Sequence, residues 1–376
     1  MDGKKATNQA LQPDWQGNQR PTDASTPDNT PKLAFIGIGK TGSSTANRLR
    51  ALGIPFDMSI TIDTEPSNQQ KTNSEQSIPV KSNSIKIFAN TPFIHEKRSF
   101  TRFQNQIDHT LTQIDIVFFA TCLDRNIDAK IASLVANTAR KNGAITVGAV
   151  TAPLALEQGR REQAPQILAK LRQDCEMVVV IDNDEITELA PQIPREEARD
   201  ISSHALASVL TYLVEAISTP NLINPDFQSF KTIVENGGLA VMSIGESDSS
   251  DRLEEAVHKA LKGLNNHPLM EIDCARAQGA LVHVTGGSGL TVEEVRHAGK
   301  IVQGLMQEKS PVVWGARVRP ELEGRIRVIL VMTGLATPVI KGNLSSLTPE
   351  LFNLEPYSKP ERKLPIDLEL YQLENF

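Results

Sequence analysis

Hydrophobic and polar positions divide the chain into a polar start, a long patterned region and a polar end. Residues 1–31 carry almost no large apolar side chain apart from Leu11 and Trp15, so this arm is predicted to be disordered. From Leu33 onward, short apolar runs alternate with segments of helical period. Residues 338–376 are predicted to form a flexible tail, whose last part, 364–376, is apolar and acidic.

The apolar runs of residues 32–194 predict a parallel sheet. Helical segments at about 44–52, 129–141 and 163–173 separate them. Continuous apolar strands that alternate with helices are typical of a doubly wound, Rossmann-like α/β domain, because helices cover both faces of such a sheet. The predicted strands read LAFIGIG, SITID, DIVFFATC, AITVGAV and MVVVID.

A long helix is predicted next, over residues 195–218, and it joins the first domain to a second. Apolar residues recur in it every four positions, which indicates one core-facing stripe. Residues 219–337 then contain four more apolar runs, with helices at 251–264 and 291–306, so they predict a second α/β domain. The stripe of the long helix consists of Ile201, Ala205, Val209, Leu213 and Ile217.

Composition excludes several classes of protein. The 376 residues are 39% hydrophobic and 22% charged with a net charge of −6, which is typical of a globular protein and gives no basic surface for nucleic acid. The three cysteines are far apart and lack a CxxC pattern, so we expect reduced thiols and no metal site. No signal peptide and no long apolar run is present, which predicts a cytoplasmic protein without direct membrane insertion.

The segment GIGKTG contains Gly37, Gly39 and Gly42 in a GxGxxG pattern between the first strand and its helix. In dinucleotide-binding proteins this pattern lets the backbone approach a pyrophosphate, and Asp63 at the end of the next strand suits a ribose hydroxyl. No pair of residues for hydride transfer is evident downstream. A tight strand-to-helix turn is therefore favoured over a nicotinamide enzyme.

The second half of the chain resembles the FtsZ family over more than a hundred residues. The segments that carry the resemblance are FKTIVENGGLAVMSIGESDSSDRLEEAVHKAL, GALVHVTGGSGLTVEEV and PVVWGARVRPELEGRIRVILVMTGL. In the first half, FIGIGKTGSSTANRL, GAITVGAVTAPLALEQGRR and VVVIDND are similar to the phosphate loop and later strands of that family. The resemblance implies the tubulin/FtsZ architecture: a GTPase-type domain, a central helix and a second α/β domain.

In the family, a glycine-rich loop wraps the phosphates of GTP, and this resemblance places seven non-glycine residues there. Two carboxylates in such a loop would repel a triphosphate, while Arg125, Lys130 and Lys40 are candidates to fill the vacated phosphate site. The position of the family's guanine-binding Asp corresponds to His204. The seven residues are Asp124, Arg125, Asn126, Ile127, Asp128, Ala129 and Lys130.

Some residues of the family's nucleotide site are retained. Glu157 and Arg161 match its ribose and phosphate contacts and Asn183 its base contact, although each is equally explained as a surface or loop residue. In the loop that completes a neighbour's site, Asn224 and Asp226 persist, but Ser229 stands where the family has its second acid. Serine cannot replace that acid, so we expect no catalysis, a chain that is not an enzyme, and no cofactor, with GTP as the alternative.

Three functions remain in competition. The first is a filament or scaffold protein that associates head to tail with itself without GTP hydrolysis. The second is a regulator that copolymerises with, or caps, filaments of an authentic FtsZ. The third is a GTP-binding division protein with unusual loops. The segment 364–376 resembles the family's partner-binding peptide without its basic end, which suggests a protein partner of its own.

Overall fold

A computed structural model describes residues 31–63, 83–88, 97–153, 163–182, 195–218, 222–223, 227–235, 237–265 and 273–335. Ten strands form one sheet in the order β3-β2-β1-β4-β5-β6-β7-β10-β8-β9. The strands are β1 (Leu33–Ile38), β2 (Met58–Asp63), β3 (Asn83–Phe88), β4 (Ile116–Cys122), β5 (Ile145–Ala152), β6 (Met177–Asp182), β7 (Gly238–Ser247), β8 (Gly279–Gly286), β9 (Val312–Val318) and β10 (Ile326–Leu335).

The strand pairing changes from parallel to mixed where the two halves of the chain meet. Strands β1 to β6 pair in parallel, and β7 continues beside β6 in parallel through Met177↔Gly238 and the next two pairs. Strand β10 then runs antiparallel to both β7 and β8, while β9 is parallel to β8. A single sheet therefore passes through both predicted domains, and the domain boundaries themselves stay a prediction.

Helices cover both faces of this sheet and create two apolar cores. One face carries α1, α5 and α6, whose apolar residues pack with Phe35 and Phe118. The opposite face carries the other five helices, packed against residues such as Ile36 and Phe119. The helices are α1 (Gly39–Ala51), α2 (Lys97–Thr110), α3 (Asn126–Lys141), α4 (Ala164–Asp174), α5 (Arg195–Ser218), α6 (Phe227–Glu235), α7 (Arg252–Asn265) and α8 (Val292–Leu305).

The predicted α/β class and most predicted elements are confirmed. The central helix α5 occupies Arg195–Ser218, but it is buried around more of its circumference than the predicted stripe. Ala205 and Ile217 of that stripe are only half-buried, whereas Leu206 and Leu210, outside it, are fully buried. The prediction missed β3, α2 and α6, because their polar surroundings hide short apolar patterns.

Within the residues that the structure describes, no helix has the length and apolar character needed to cross a membrane.

Candidate functional site

The GIGKTG segment forms the turn from β1 into α1, at the edge of the sheet where the parallel strands end. A Cβ added to Gly42 would lie 2.7 Å from the carbonyl carbon of Gly37 and closer still to the carbonyl oxygen of Ala120 in β4. Gly39 has a φ of 68°, a conformation that favours glycine. Close backbone packing therefore requires glycine at position 42, and the left-handed φ favours glycine at position 39.

The carboxylate of Asp128 lies against Gly39, the first residue of α1. A Cβ built on Gly39 would stand 2.7 Å from Asp128 Oδ2 and 3.2 Å from its Cγ. Asp128 belongs to the first turn of α3 and is buried, with 3% of its surface exposed. The first N–H groups of a helix lack acceptors inside the helix and carry partial positive charge. A carboxylate of the protein thus lies beside the first residue of α1, close to a helix start that favours negative charge.

The segment expected in place of the glycine-rich loop is mostly helical. Asp124 and Arg125 precede α3, and the helix begins at Asn126. Helix formation separates the side chains by face: Asp128 turns inward, whereas Asn126 and Lys130 are exposed. The amide of Asn126 donates to Gln163 Oε1 at 3.1 Å, which ties the start of α3 to the start of α4.

The structure places the three cations expected at the vacated phosphate site in different surroundings. Lys130 faces a groove between α3 and α4, and Lys40 is exposed at the start of α1. Arg125 is half-buried ahead of α3. The residue placed beside Gly39 is instead the anionic Asp128, which the sequence analysis expected to repel phosphate. The helix explains the difference, because Asp128 lies on the buried face of α3, whereas Arg125 is the extended N-cap residue ahead of it and Lys130 is exposed.

His204 on α5 contacts Arg48 on α1 through its Nε2 atom. An arginine side chain has no acceptor, so Nε2 accepts and the proton resides on Nδ1, which donates to the Asp200 carbonyl oxygen at 3.1 Å. Burial, and then the charge of Arg48, lower the pKa of His204 to about 4. Both ring nitrogens are used inside the protein, so His204 offers no acceptor to the donor edge of a guanine.

The site as folded does not fit a guanosine triphosphate. A phosphate group beside Gly39 would meet the Asp128 carboxylate, and two anions in close contact repel each other strongly where water is excluded. At the base position, a guanidinium and a neutral imidazole replace the carboxylate that the family resemblance implies.

Several predicted site residues lie outside the described part of the chain: Glu157, Arg161, Asn183, Asn224 and Asp226. Ser229 is described, and it lies half-buried in the first turn of α6. The tail segment 364–376 is also outside the described residues. The nucleotide contacts of all these residues stay predictions. Among the residues that are described, no cluster of potential metal ligands occurs.

Sequence reasoning missed the contact of Arg48 with His204 and did not place Asp128 beside Gly39. Arg48 lies in the last turn of α1, where the helix dipole favours a basic residue. Its position therefore had an ordinary explanation, and nothing in the sequence indicated its contact with His204. The signal for Asp128 was its position at the start of a predicted helix, where an acidic side chain often faces backbone N–H groups.

Comparisons with known proteins extend over both halves of the chain. The model described as "Tubulin/FtsZ family, GTPase domain" matches residues 32–191, and the model described as "FtsZ family, C-terminal domain" matches residues 238–336. The protein named Cell division protein FtsZ 2 of Methanocaldococcus jannaschii is 31% identical over 83% of this chain and 82% of its own length. The protein named Cell division protein FtsZ 1 of Pyrococcus furiosus is 31% identical over 91% of this chain and 89% of its own length.

Solved structures agree with these matches. An empty FtsZ dimer from M. jannaschii is 33% identical, covers 81% of this chain and 88% of its own, and gives a TM-score of 0.69. The GTPγS-bound CetZ2 protofilament of Haloferax volcanii gives a TM-score of 0.62 at 17% identity, covering 82% of this chain and 95% of its own, so it shows the shared fold alone.

One expectation from the sequence requires correction, and a second is supported in part. The expectation that the chain is not an enzyme is wrong, because the GTPase-domain model matches residues 32–191 and the relatives at 31% identity are named FtsZ. The same match supports the alternative given for the cofactor, since the matched family is one of GTPase domains. The mistaken expectation rested on the replaced glycine-rich loop and on Ser229 in place of the family's second acid.

Proposed function

This chain belongs to the FtsZ family, and we propose that it is a cytoskeletal protein of cell-division type whose subunits associate head to tail into a polymer. A contact between two different surfaces of one subunit type generates an open filament when its rotation does not close a ring. We also propose that this assembly needs no bound nucleotide and takes place in the cytoplasm, where its three free thiols stay reduced.

One observation carries the proposal: both FtsZ-type halves are retained and share one ten-stranded sheet. The M. jannaschii relative, whose structure is described as an empty dimer, supports contact between subunits of this fold. The presence of Asp128 beside Gly39 supports assembly that does not require GTP.

The segment before α6 is the proposed location of one end surface. Ile223 pairs with Ala316 of β9 through an isolated antiparallel bridge, which fixes this segment on the sheet edge. Two large apolar side chains nearby are exposed, Leu222 at 45% and Val318 at 39%. Exposed apolar side chains grouped on one edge are a usual feature of a protein contact, although isolated ones are not.

The first experiment compares assembly of the purified chain with and without GTP. Sedimentation and electron microscopy record the polymer, and phosphate release records hydrolysis in the same samples. We expect the same amount of polymer in both conditions. Polymer that forms only with GTP would refute nucleotide-independent assembly, and absence of polymer in both conditions would refute self-assembly.

A pair of variants tests the proposed end surface. Leu222→Glu places a charge among the apolar side chains of that edge, so we expect the pelleted fraction to fall at least about tenfold, since one buried charge costs several kcal/mol. Leu305→Glu is the matched control, because Leu305 in α8 is similarly exposed, at 43%. Equal assembly of the two variants would place the contact elsewhere.

A second candidate function is joint assembly with an authentic FtsZ. Ser229 at the start of α6 favours it, because a serine in place of the family's second acid would make a joint with a neighbour's nucleotide long-lived. Mixing the chain with an FtsZ and separating the polymer by sedimentation tests this candidate. A chain that stays in the supernatant while FtsZ pellets would exclude it.

A further inference from the structure

We propose that the Asp128 carboxylate is the built-in ligand of the anion-binding position at the start of α1, and that it competes there with the phosphate groups of a nucleotide. Asp128 is thereby a specificity-determining residue. The inference goes beyond the proposed function and takes the β1–α1 turn as the nucleotide position that the family resemblance implies. It adds which residue decides whether a phosphorylated ligand enters.

The position of the carboxylate is the first argument. Its Oδ2, Cγ and Oδ1 atoms would stand 2.7, 3.2 and 3.5 Å from a Cβ on Gly39, so all three face that residue closely. Only a residue without a side chain leaves room for this contact, and the left-handed φ of 68° at Gly39 has the same requirement. Asp128 is 3% exposed, which means that solvent does not compete for the carboxylate.

The electrostatic setting is the second argument. Helix α1 starts without help from its own sequence, because the N-cap residue is Ile38, which has no acceptor, and the first turn contains no acidic residue. Asp128 lies at the same time in the first turn of α3. Two helix starts therefore lie beside one carboxylate, and each favours negative charge at that place.

Competition follows from space and charge. The Asp128 carboxylate fills the space beside Gly39, with Oδ2 at 2.7 Å from a built Cβ, so a phosphate group brought against Gly39 would meet it. The two groups also carry like charge in a place that excludes water. Entry of a phosphorylated ligand therefore requires the first turn of α3 to move away from α1, and affinity for the ligand is reduced by the cost of that movement.

The first test measures binding of GTP with Mg²⁺ by calorimetry to the wild type, Asp128→Ala and Asp128→Asn. We expect Asp128→Ala to bind GTP at least about tenfold more tightly, and Asp128→Asn to show a smaller gain because the amide keeps the volume without the charge. Asp108→Asn is the matched control, since it removes one charge from an exposed position of α2. An affinity in both Asp128 variants within twofold of the wild type, or no binding to any of them, would overturn the proposal.

The second test uses the wild-type chain, so it does not depend on a variant that folds. Hydrogen exchange of the amides of Asn126–Lys130 is measured with and without GTP at the highest usable concentration. Faster exchange with GTP is expected, because the first turn of α3 must leave α1. Unchanged or slower exchange counts against competition.

These results are separable from the proposed function. Sedimentation of the same wild-type and variant samples without nucleotide measures self-assembly independently of GTP affinity. If the chain assembles but its affinity for GTP is the same with and without the Asp128 carboxylate, only this inference is overturned. A chain that never assembles but binds GTP more tightly as Asp128→Ala overturns only the assembly proposal.

Discussion

Replacing Gly42 by Ala tests whether the GxGxxG pattern serves the backbone or a ligand. The added Cβ would lie 2.7 Å from the carbonyl carbon of Gly37 and 2.9 Å from its Cα, and closer than either to the carbonyl oxygen of Ala120. All of these are backbone atoms of β1 and β4, in the centre of the parallel sheet. They cannot rotate away, so α1 must shift off the sheet.

The cost follows from two opposing effects. Overpacking a well-packed core costs typically about 1–3 kcal/mol, and clashes with two separate strands place this site at or above the upper end. Alanine in place of glycine within a helix returns roughly 0.5–1 kcal/mol. We therefore expect Gly42→Ala to lower the free energy of unfolding by about 2–3 kcal/mol without any ligand present.

Urea denaturation, followed by circular dichroism, measures this difference directly. Gly304→Ala is the matched control, because Gly304 lies in α8 with no atom within 4 Å of a built Cβ. This variant should gain roughly 0.5–1 kcal/mol. If Gly42→Ala changes the unfolding free energy by no more than the control does, the glycine is not needed for packing, and a ligand must explain it.

Three further changes probe the second half of the chain. Burial lowers the pKa of His283 to about 4 from an ordinary 6.5. The folded chain therefore binds fewer protons than the unfolded chain between these values, and the stability present above pH 6.5 is lost as pH falls toward 4. His283→Leu should abolish about 3 kcal/mol of this loss in the free energy of unfolding, as measured by urea titrations at several pH values. His258→Leu, at an exposed position, is the matched control and should leave the loss in place. Glu215→Gln should cost about 2–3 kcal/mol, since it removes the buried partner that Arg319 contacts at 2.8 Å, and a thermal scan that shows no loss would contradict this. Thr291→Ala should cost about 1 kcal/mol in a urea titration, because Thr291 caps α8, and an unchanged midpoint would count against the cap.

Continuous runs of apolar residues allowed the fold to be predicted. The apolar strands from Leu33 to Asp182 and the four runs after them appear as β1, β2, β4 to β6 and β7 to β10. Strand β3 and helix α2 were missed, since both lie in a polar stretch where periodicity is weak. Helix α5 was located correctly, but the extent of its burial depends on neighbours that the sequence does not name.

The candidate site was less accessible to prediction than the fold. The positions of Asp124–Lys130 were identified, but their effect was judged from charge and composition alone. Whether a carboxylate repels a ligand or occupies its place depends on which face of α3 it lies on, and only Asp128 turns inward. The same holds for His204, whose acceptor is used by Arg48 from another helix, 156 residues away along the chain.

By itself, the sequence determined the class of fold, the order of its elements and the family, because these depend on hydrophobic periodicity and on long segments of local similarity. It also located the glycines of the first turn. Only the tertiary structure decided what stands beside them, since the contacts of Gly42 with β4 and of Gly39 with Asp128 join parts of the chain far apart in sequence. The physical reason is that periodicity records which face of an element is buried, whereas a site depends on which buried side chains from different elements meet.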